Sequence, residues 1–132
     1  MLEFTYILSV ILMIGLPVAL AAGLRRISST PWVLFSLGAL TFTISQAVHL
    51  PLNAWLADIG WLPGETTSEL PLWQIALTAG LTAGLCEELA RTAGYLFISK
   101  YRTRWSNLPG SLMLGLGHGG IEAMVFGGVL TA

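Results

Sequence analysis

Four long apolar runs, at about residues 4–24, 32–50, 72–98 and 108–131, constrain this chain more than any other feature. A hydrocarbon core of about 30 Å is crossed by about 20 helical residues, so each run is long enough to span one. Inside lipid no water satisfies backbone N–H and C=O groups, which leaves helices or closed barrels. Runs of this length without strict apolar–polar alternation read as helices. The expectation is an all-α, polytopic transmembrane helix bundle of about four helices, forming a single domain over residues 1–132. Composition agrees: 55% of the residues are hydrophobic and 10% charged, whereas a soluble domain carries about 25% charged residues. A typical soluble enzyme is excluded on that ground. Nucleic acid is excluded as a partner too, because six basic residues make no phosphate-tracking patch. The lone Cys86 rules out an internal disulfide and a cysteine zinc cluster.

The first run invites a signal-peptide reading, with Ala19-Leu20-Ala21 offering a small-x-small cleavage site. A signal peptide carries its positive charge first. Here residues 1–4 hold no Lys or Arg and the basic pair Arg25-Arg26 follows the apolar run, so a retained helix is expected. Lys100, Arg102 and Arg104 lie between the third and fourth runs, while the stretch 53–71 has no basic residue and carries Asp58, Glu65 and Glu69. By the positive-inside rule both basic loops face the cytoplasm and the acidic loop faces outward. The N-terminus is therefore expected outside. Trp55, Trp61 and Trp73 fit an outer aromatic belt, and Tyr101 and Trp105 an inner one. Pro63-Gly64 marks a turn in the outer loop. The setting expected is an integral protein of the bacterial plasma membrane, with the lipid bilayer as its first partner.

Two groups of residues do not belong in hydrocarbon. The third run contains Cys86-Glu87-Glu88-Leu89-Ala90-Arg91, and the fourth contains His118-Gly119-Gly120-Ile121-Glu122. Each ionisable group near the midplane costs about 2.5–3.5 kcal/mol, so four such charges amount to roughly 10 kcal/mol. Such residues are read first as a functional site. On a helix Glu87 and Glu88 stand four and three positions from Arg91, so both carboxylates reach toward the guanidinium, and His118 and Glu122 share a face. At about 1.5 Å per residue, Glu88 lies ~18 Å and Arg91 ~14 Å from Lys100, and His118 ~15 Å and Glu122 ~21 Å from Leu108. The two groups are expected at one depth. Gly80, Gly84 and Glu88, with Ala76 before them, form a four-residue stripe, as do Ser111, Gly115 and Gly119. Such stripes are a common device for close helix packing. The glycines around His118 are also expected to loosen the helix there, which implies a protein-lined or watery cavity and not lipid.

Two neighbouring carboxylates can take different roles, one as base and one as ligand or ion-pair partner. A histidine can hold a metal or donate toward a developing oxyanion. Water activated by a glutamate, alone or on zinc, hydrolyses an amide. The structural alternative is a buried Glu–Arg pair that only holds helices together.

Glu87-Glu88-x-x-Arg91 followed by Gly117-His118-Gly119-Gly120-Ile121-Glu122 resembles the YhfC-like intramembrane metalloproteases. These are similar in turn to the superfamily of CAAX prenyl endopeptidases and bacteriocin-processing enzymes, with its Glu-Glu motif and later helix-borne His. Ser45-Gln46 ahead of Pro51-Leu52 adds to the likeness, which spans about residues 43–128. The resemblance implies an intramembrane metallo-endopeptidase with Glu87, Glu88, Arg91, His118 and Glu122 as catalytic residues, Glu87 or Glu88 activating water. It also implies zinc held by Glu88 and His118, and a membrane-associated protein or peptide as substrate. Some relatives in the superfamily are read as metal-free, so water activated by a glutamate alone is the other form of the mechanism. The pattern departs in two places. Only two residues separate Glu88 from Arg91, where the prenyl endopeptidases have three. The superfamily's last motif, a His- or acid-bearing helix, has no counterpart before Ala132, as expected of the N-terminal part of a longer domain.

Other polar residues have simpler readings. His49 is expected as an interfacial histidine beside Pro51 and Asn53, and Gln46, one turn deeper, as a candidate for lining the cavity. Cys86 reads as a small hydrophobe, and Tyr95 as a packing or hydrogen-bonding side chain. Two other function classes compete with the peptidase. One is a non-catalytic membrane scaffold or chaperone-like subunit that uses the same buried polar residues for helix assembly. The other is an ion-coupled transporter, which needs inverted repeats and broken helices that the first two runs do not supply.

Overall fold

Long apolar segments leave the backbone no partner but itself, and among the described residues every regular element is helical. Helix α1 spans Leu2–Ser28, α2 Trp32–Asp58, α3 Leu72–Tyr101 and α4 Leu108–Glu122, with a 3-10 turn at Thr103–Trp105 and a π-helical segment at Ala123–Val129. The computed structural model describes residues 2–65 and 69–129. Residues 66–68 of the acidic loop, and 130–132, where the fourth run was expected to end, lie outside the described residues.

Helices α1 and α2 are each long and apolar enough to cross a membrane. α3 has the length but carries Glu87, Glu88 and Arg91 within it, and α4 runs on into the π segment. Along α1, Phe4, Ile7, Ile11 and Leu12 are all at least half exposed. A continuous apolar surface of this kind calls for lipid rather than water. The fold is that of an all-α transmembrane bundle.

Local chemistry explains the helix ends. α1 stops where Ser29 turns into the left-handed region, at φ 54°, with its N–H bonded to the Arg25 carbonyl at 2.9 Å. α2 passes through Pro51, where the sequence suggested an end at residue 50, and continues to Asp58. A proline removes one backbone donor and kinks a helix without stopping it when neighbouring groups satisfy the freed carbonyl. The true stop is Gly60, at φ 80°. Its N–H bonds Ala57 O at 3.1 Å and the Trp61 N–H bonds Leu56 O at 2.8 Å, a Schellman turn that glycine permits. α4 begins at Asn107, whose side-chain oxygen accepts the Gly110 N–H at 2.9 Å.

The chain divides into two compact units, Met1–Phe42 with Arg91–Ala132, and Thr43–Ala90. In the first, Ala21, Leu34, Ile98, Met113 and Leu114 form the buried core, one or two from each helix. There α2 and α4 meet backbone to backbone. A Cβ on Gly38 would strike the Leu114 carbonyl, and one on Gly117 the Phe35 carbonyl. Gly120 likewise lets α4 rest on Pro17 of α1. These are not the glycines of the expected stripes: Gly80, Gly84, Gly115 and Gly119 have nothing within 4 Å of the Cβ position among the described residues. Spacing finds a small-residue face but cannot say which face meets a neighbour. The second unit joins the end of α2 to the start of α3, with Leu56 and Leu62 as its buried apolar side chains.

Candidate functional site

In the first unit α4 carries His118 and Glu122 one turn apart, with ligand atoms of the two side chains within 4.8 Å of each other. His118 is 2% exposed and Glu122 half-buried. Two residues of α2 hold the ring. Thr41 Oγ1 lies 2.8 Å from His118 Nδ1 and 2.7 Å from the carbonyl oxygen of Gly38. A hydroxyl has one proton and a carbonyl can only accept, so Thr41 donates to Gly38 and accepts from the His118 Nδ1–H. The neutral ring is thereby the Nδ1–H tautomer, with its lone pair on Nε2. Phe42 meets the imidazole edge-on at 5.6 Å and 89°, and Phe126 from the π segment packs edge-on against Phe42 at 5.9 Å. Both the tautomer and the plane of the ring are set by neighbours.

The glycines around His118 do not open the helix at that residue. α4 stays α-helical through Glu122 and widens only from Ala123, whose N–H is shared between the carbonyls of Gly119 and Gly120. The π segment begins directly after Glu122.

The second unit presents Glu87 and Glu88 on α3. Glu87 is half-buried and Glu88 exposed. Gln46 of α2 donates from Nε2 to Glu87 Oε1 at 3.5 Å. Its Oε1 lies 3.5 Å from His49 Nδ1, and His49 Nε2 lies 2.9 Å from Asn53 Nδ2. Thr82 Oγ1 of α3 lies 3.1 Å from Asn53 Oδ1. His49 therefore joins a network inside the hairpin, and Gln46 connects that network to Glu87. Helical spacing offered a signal for this set, because Gln46, His49 and Asn53 stand three and four apart on one face. Thr41 and Phe42 gave no such signal in an apolar run.

Arg91, in the first unit's part of α3, is half-buried, and so is Cys86. Tyr95 donates to the Ser111 carbonyl at 3.4 Å. It borders an apolar groove of about 440 Å³ together with Leu16, Pro17, Gly115 and Gly119.

A family model described as YhfC intramembrane metalloprotease matches residues 11–132. A relative described as uncharacterized membrane protein YhfC, from Bacillus subtilis (strain 168), is 29% identical over 115 residues. That match covers 86% of this chain and 43% of the relative, so the chain spans less than half the relative's length. No solved structure matches.

Proposed function

The chain belongs to the YhfC intramembrane metalloprotease family, and we propose that it acts as an intramembrane metallo-endopeptidase of the bacterial plasma membrane. One observation carries this reading: a buried histidine with its tautomer and plane fixed, one turn from a carboxylate, on a helix otherwise built of apolar and small residues. The family description implies a metal, and the donor set fits one. His118 presents its lone pair on Nε2, Glu122 offers an oxygen within 4.8 Å of the ring's ligand atom, and Thr41 supports the ring from behind. Zinc suits such nitrogen and oxygen donors. Glu87 and Glu88 are proposed to complete the site, on the ground that helical rise from the basic helix ends gives both clusters a depth of ~14–21 Å. Glu87 takes precedence, being half-buried and hydrogen-bonded, whereas Glu88, the ligand favoured by resemblance, is exposed.

In this mechanism a carboxylate of the Glu87–Glu88 pair takes the proton of the attacking water as its oxygen adds to the scissile carbonyl carbon. The same carboxylate returns that proton to the amine nitrogen as the C–N bond breaks. Arg91 supplies positive charge beside the developing oxyanion. Phe42, 3% exposed, covers one side of the His118 ring. A bound zinc supplies Lewis-acid polarisation of water and carbonyl. The substrate is a membrane-associated protein or peptide.

A scaffold reading draws on the same hydrogen bond between Thr41 and His118, since buried polar pairs also join helices in lipid. Metal content separates the two. The full chain in detergent should hold close to one zinc per chain, lost in His118→Ala and in Glu87→Gln and retained better in Glu88→Gln, with helical circular dichroism unchanged. A well-folded wild type that takes up no metal at any zinc concentration removes the metallo-mechanism. Unfolding of the variants instead of metal loss favours the scaffold.

A further inference from the structure

The hydrogen bonds of the second unit have a direction, and that direction ends on Glu87. An amide nitrogen only donates and an amide oxygen only accepts. Asn53 Nδ2, at 2.9 Å from His49 Nε2, must therefore donate to it. His49 Nδ1, at 3.5 Å from Gln46 Oε1, must donate to that oxygen, and Gln46 Nε2 donates in turn to Glu87 Oε1 at 3.5 Å. Behind them Thr82 Oγ1 has one proton and three acceptors in reach, the Thr78 carbonyl at 3.0 Å and Asn53 Oδ1 and the Ala79 carbonyl at 3.1 Å, and it also lies 3.4 Å from His49 Nε2. Turning the Gln46 amide over would set its oxygen against the carboxylate, and turning Asn53 over would set its oxygen against the His49 Nε2 lone pair, acceptor against acceptor in both cases. The carboxylate thus selects the orientation of Gln46, Gln46 selects the tautomer of His49, and His49 selects the orientation of Asn53.

Thr82, Asn53, His49, Gln46 and Glu87 are all half-buried, and hydrogen bonds in series polarise one another. We infer that Asn53, His49 and Gln46 form a one-way donor chain that orients the Glu87 carboxylate, with His49 and Gln46 as positioning residues for the hydrolytic site. This rests on the proposal that Glu87 acts there. It gives an assignment to His49, a titratable side chain that the hydrolytic mechanism itself leaves unused.

The ring nitrogens of His49 report the chain directly. The protein has two histidines, so a His118→Gln sample identifies the His49 signals by elimination. In metal-free full-length protein in detergent, long-range proton–nitrogen correlation should show His49 as a single neutral Nδ1–H tautomer. Glu87→Leu removes the acceptor at the end of the chain and should release Gln46, leaving His49 a mixture of tautomers. An unchanged Nδ1–H signature in a folded Glu87→Leu protein overturns the coupling, whatever the metal result.

A second pair of variants covers the case in which Glu87→Leu fails to fold. His49→Asn keeps a donor near the Nδ1 position, whereas His49→Leu keeps none. The Gln46 side-chain amide signal should hold its wild-type position in the first and move in the second. Zinc titration then reads the consequence: affinity falls about 10–100-fold in His49→Leu, as for other supports of metal-site residues, and recovers in His49→Asn. Equal zinc affinity in all three proteins overturns the positioning role. A wild type with the expected tautomer but no zinc binding upholds the donor chain and overturns the metallo-mechanism alone.

Discussion

A neutral imidazole has one N–H and one lone pair, and which nitrogen carries which decides what the ring can do. For His118 that decision belongs to Thr41, whose single hydroxyl proton is committed to the Gly38 carbonyl at 2.7 Å. Thr41→Val keeps the shape and removes the acceptor. It leaves a buried N–H unsatisfied, at a cost of about 1–3 kcal/mol, and is expected to weaken zinc binding about 10–100-fold. Thr41→Ser keeps the oxygen and should restore both. Thermal midpoints and competition titration with a chelator check the pair, and a Thr41→Val protein that binds zinc as tightly as wild type ends the tautomer argument. The contrast with Glu87, Glu88, Arg91, His118 and Glu122 is physical. Those five stand out because ionisable groups are expensive in hydrocarbon, so their positions alone announce a role. A threonine costs little there, and its part in the site appears only when its neighbours are known. Gln46, His49 and Asn53 lie between these cases, since each is unremarkable alone while their shared helix face carries the information.

At the scale of the helix, the number and character of the elements were legible because long apolar runs admit few alternatives. The helix–helix contacts were not. Two sets of small residues run along α4, one with Gly115 and Gly119 and the other with Gly117 and Gly120, and periodicity treats them alike. Only the second is closed by neighbouring groups: Gly117 lies against the Phe35 carbonyl and Gly120 against Pro17. Opposite outcomes follow for one chemical change. Gly117→Ala sets a methyl group into backbone that cannot yield and should destabilise the protein by about 1–3 kcal/mol, despite the better helix propensity of alanine. Gly115→Ala meets open space and should be neutral or stabilising by up to about 1 kcal/mol. Thermal unfolding of the two proteins in the same detergent gives the comparison. A Gly117→Ala protein as stable as Gly115→Ala would mean that α2 and α4 do not cross at this residue. The same crossing sets Thr41 beside His118, so the packing test is also a test of the site's geometry.

For the whole molecule, the common depth of the two ionisable clusters depends on topology. Residues counted from Lys100 and from Leu108 reach one depth only if both helix ends lie on the same side and α3 crosses the membrane in full. The positive-inside rule gives the cytoplasm as the expected side, and Lys100 lies over the Tyr101 ring at 5.2 Å and Arg104 over the Trp105 ring at 5.1 Å. Trp55, Trp61 and Trp73, each more than half exposed, suit the opposite interface. With Cys86 replaced by alanine the chain has no thiol, and single cysteines can report sidedness. Glu65→Cys should react with a membrane-impermeant maleimide in intact cells, and Arg104→Cys only after the membrane is opened. The reverse pattern would invert the protein and open the hydrolytic site to the outside, yet leave the depth argument intact, because both counting ends would still share a side. Labelling of both residues from one side would be the damaging result. α3 would then not cross, Glu87 and Glu88 would lose their common depth with His118 and Glu122, and the proposed hydrolytic site could not form.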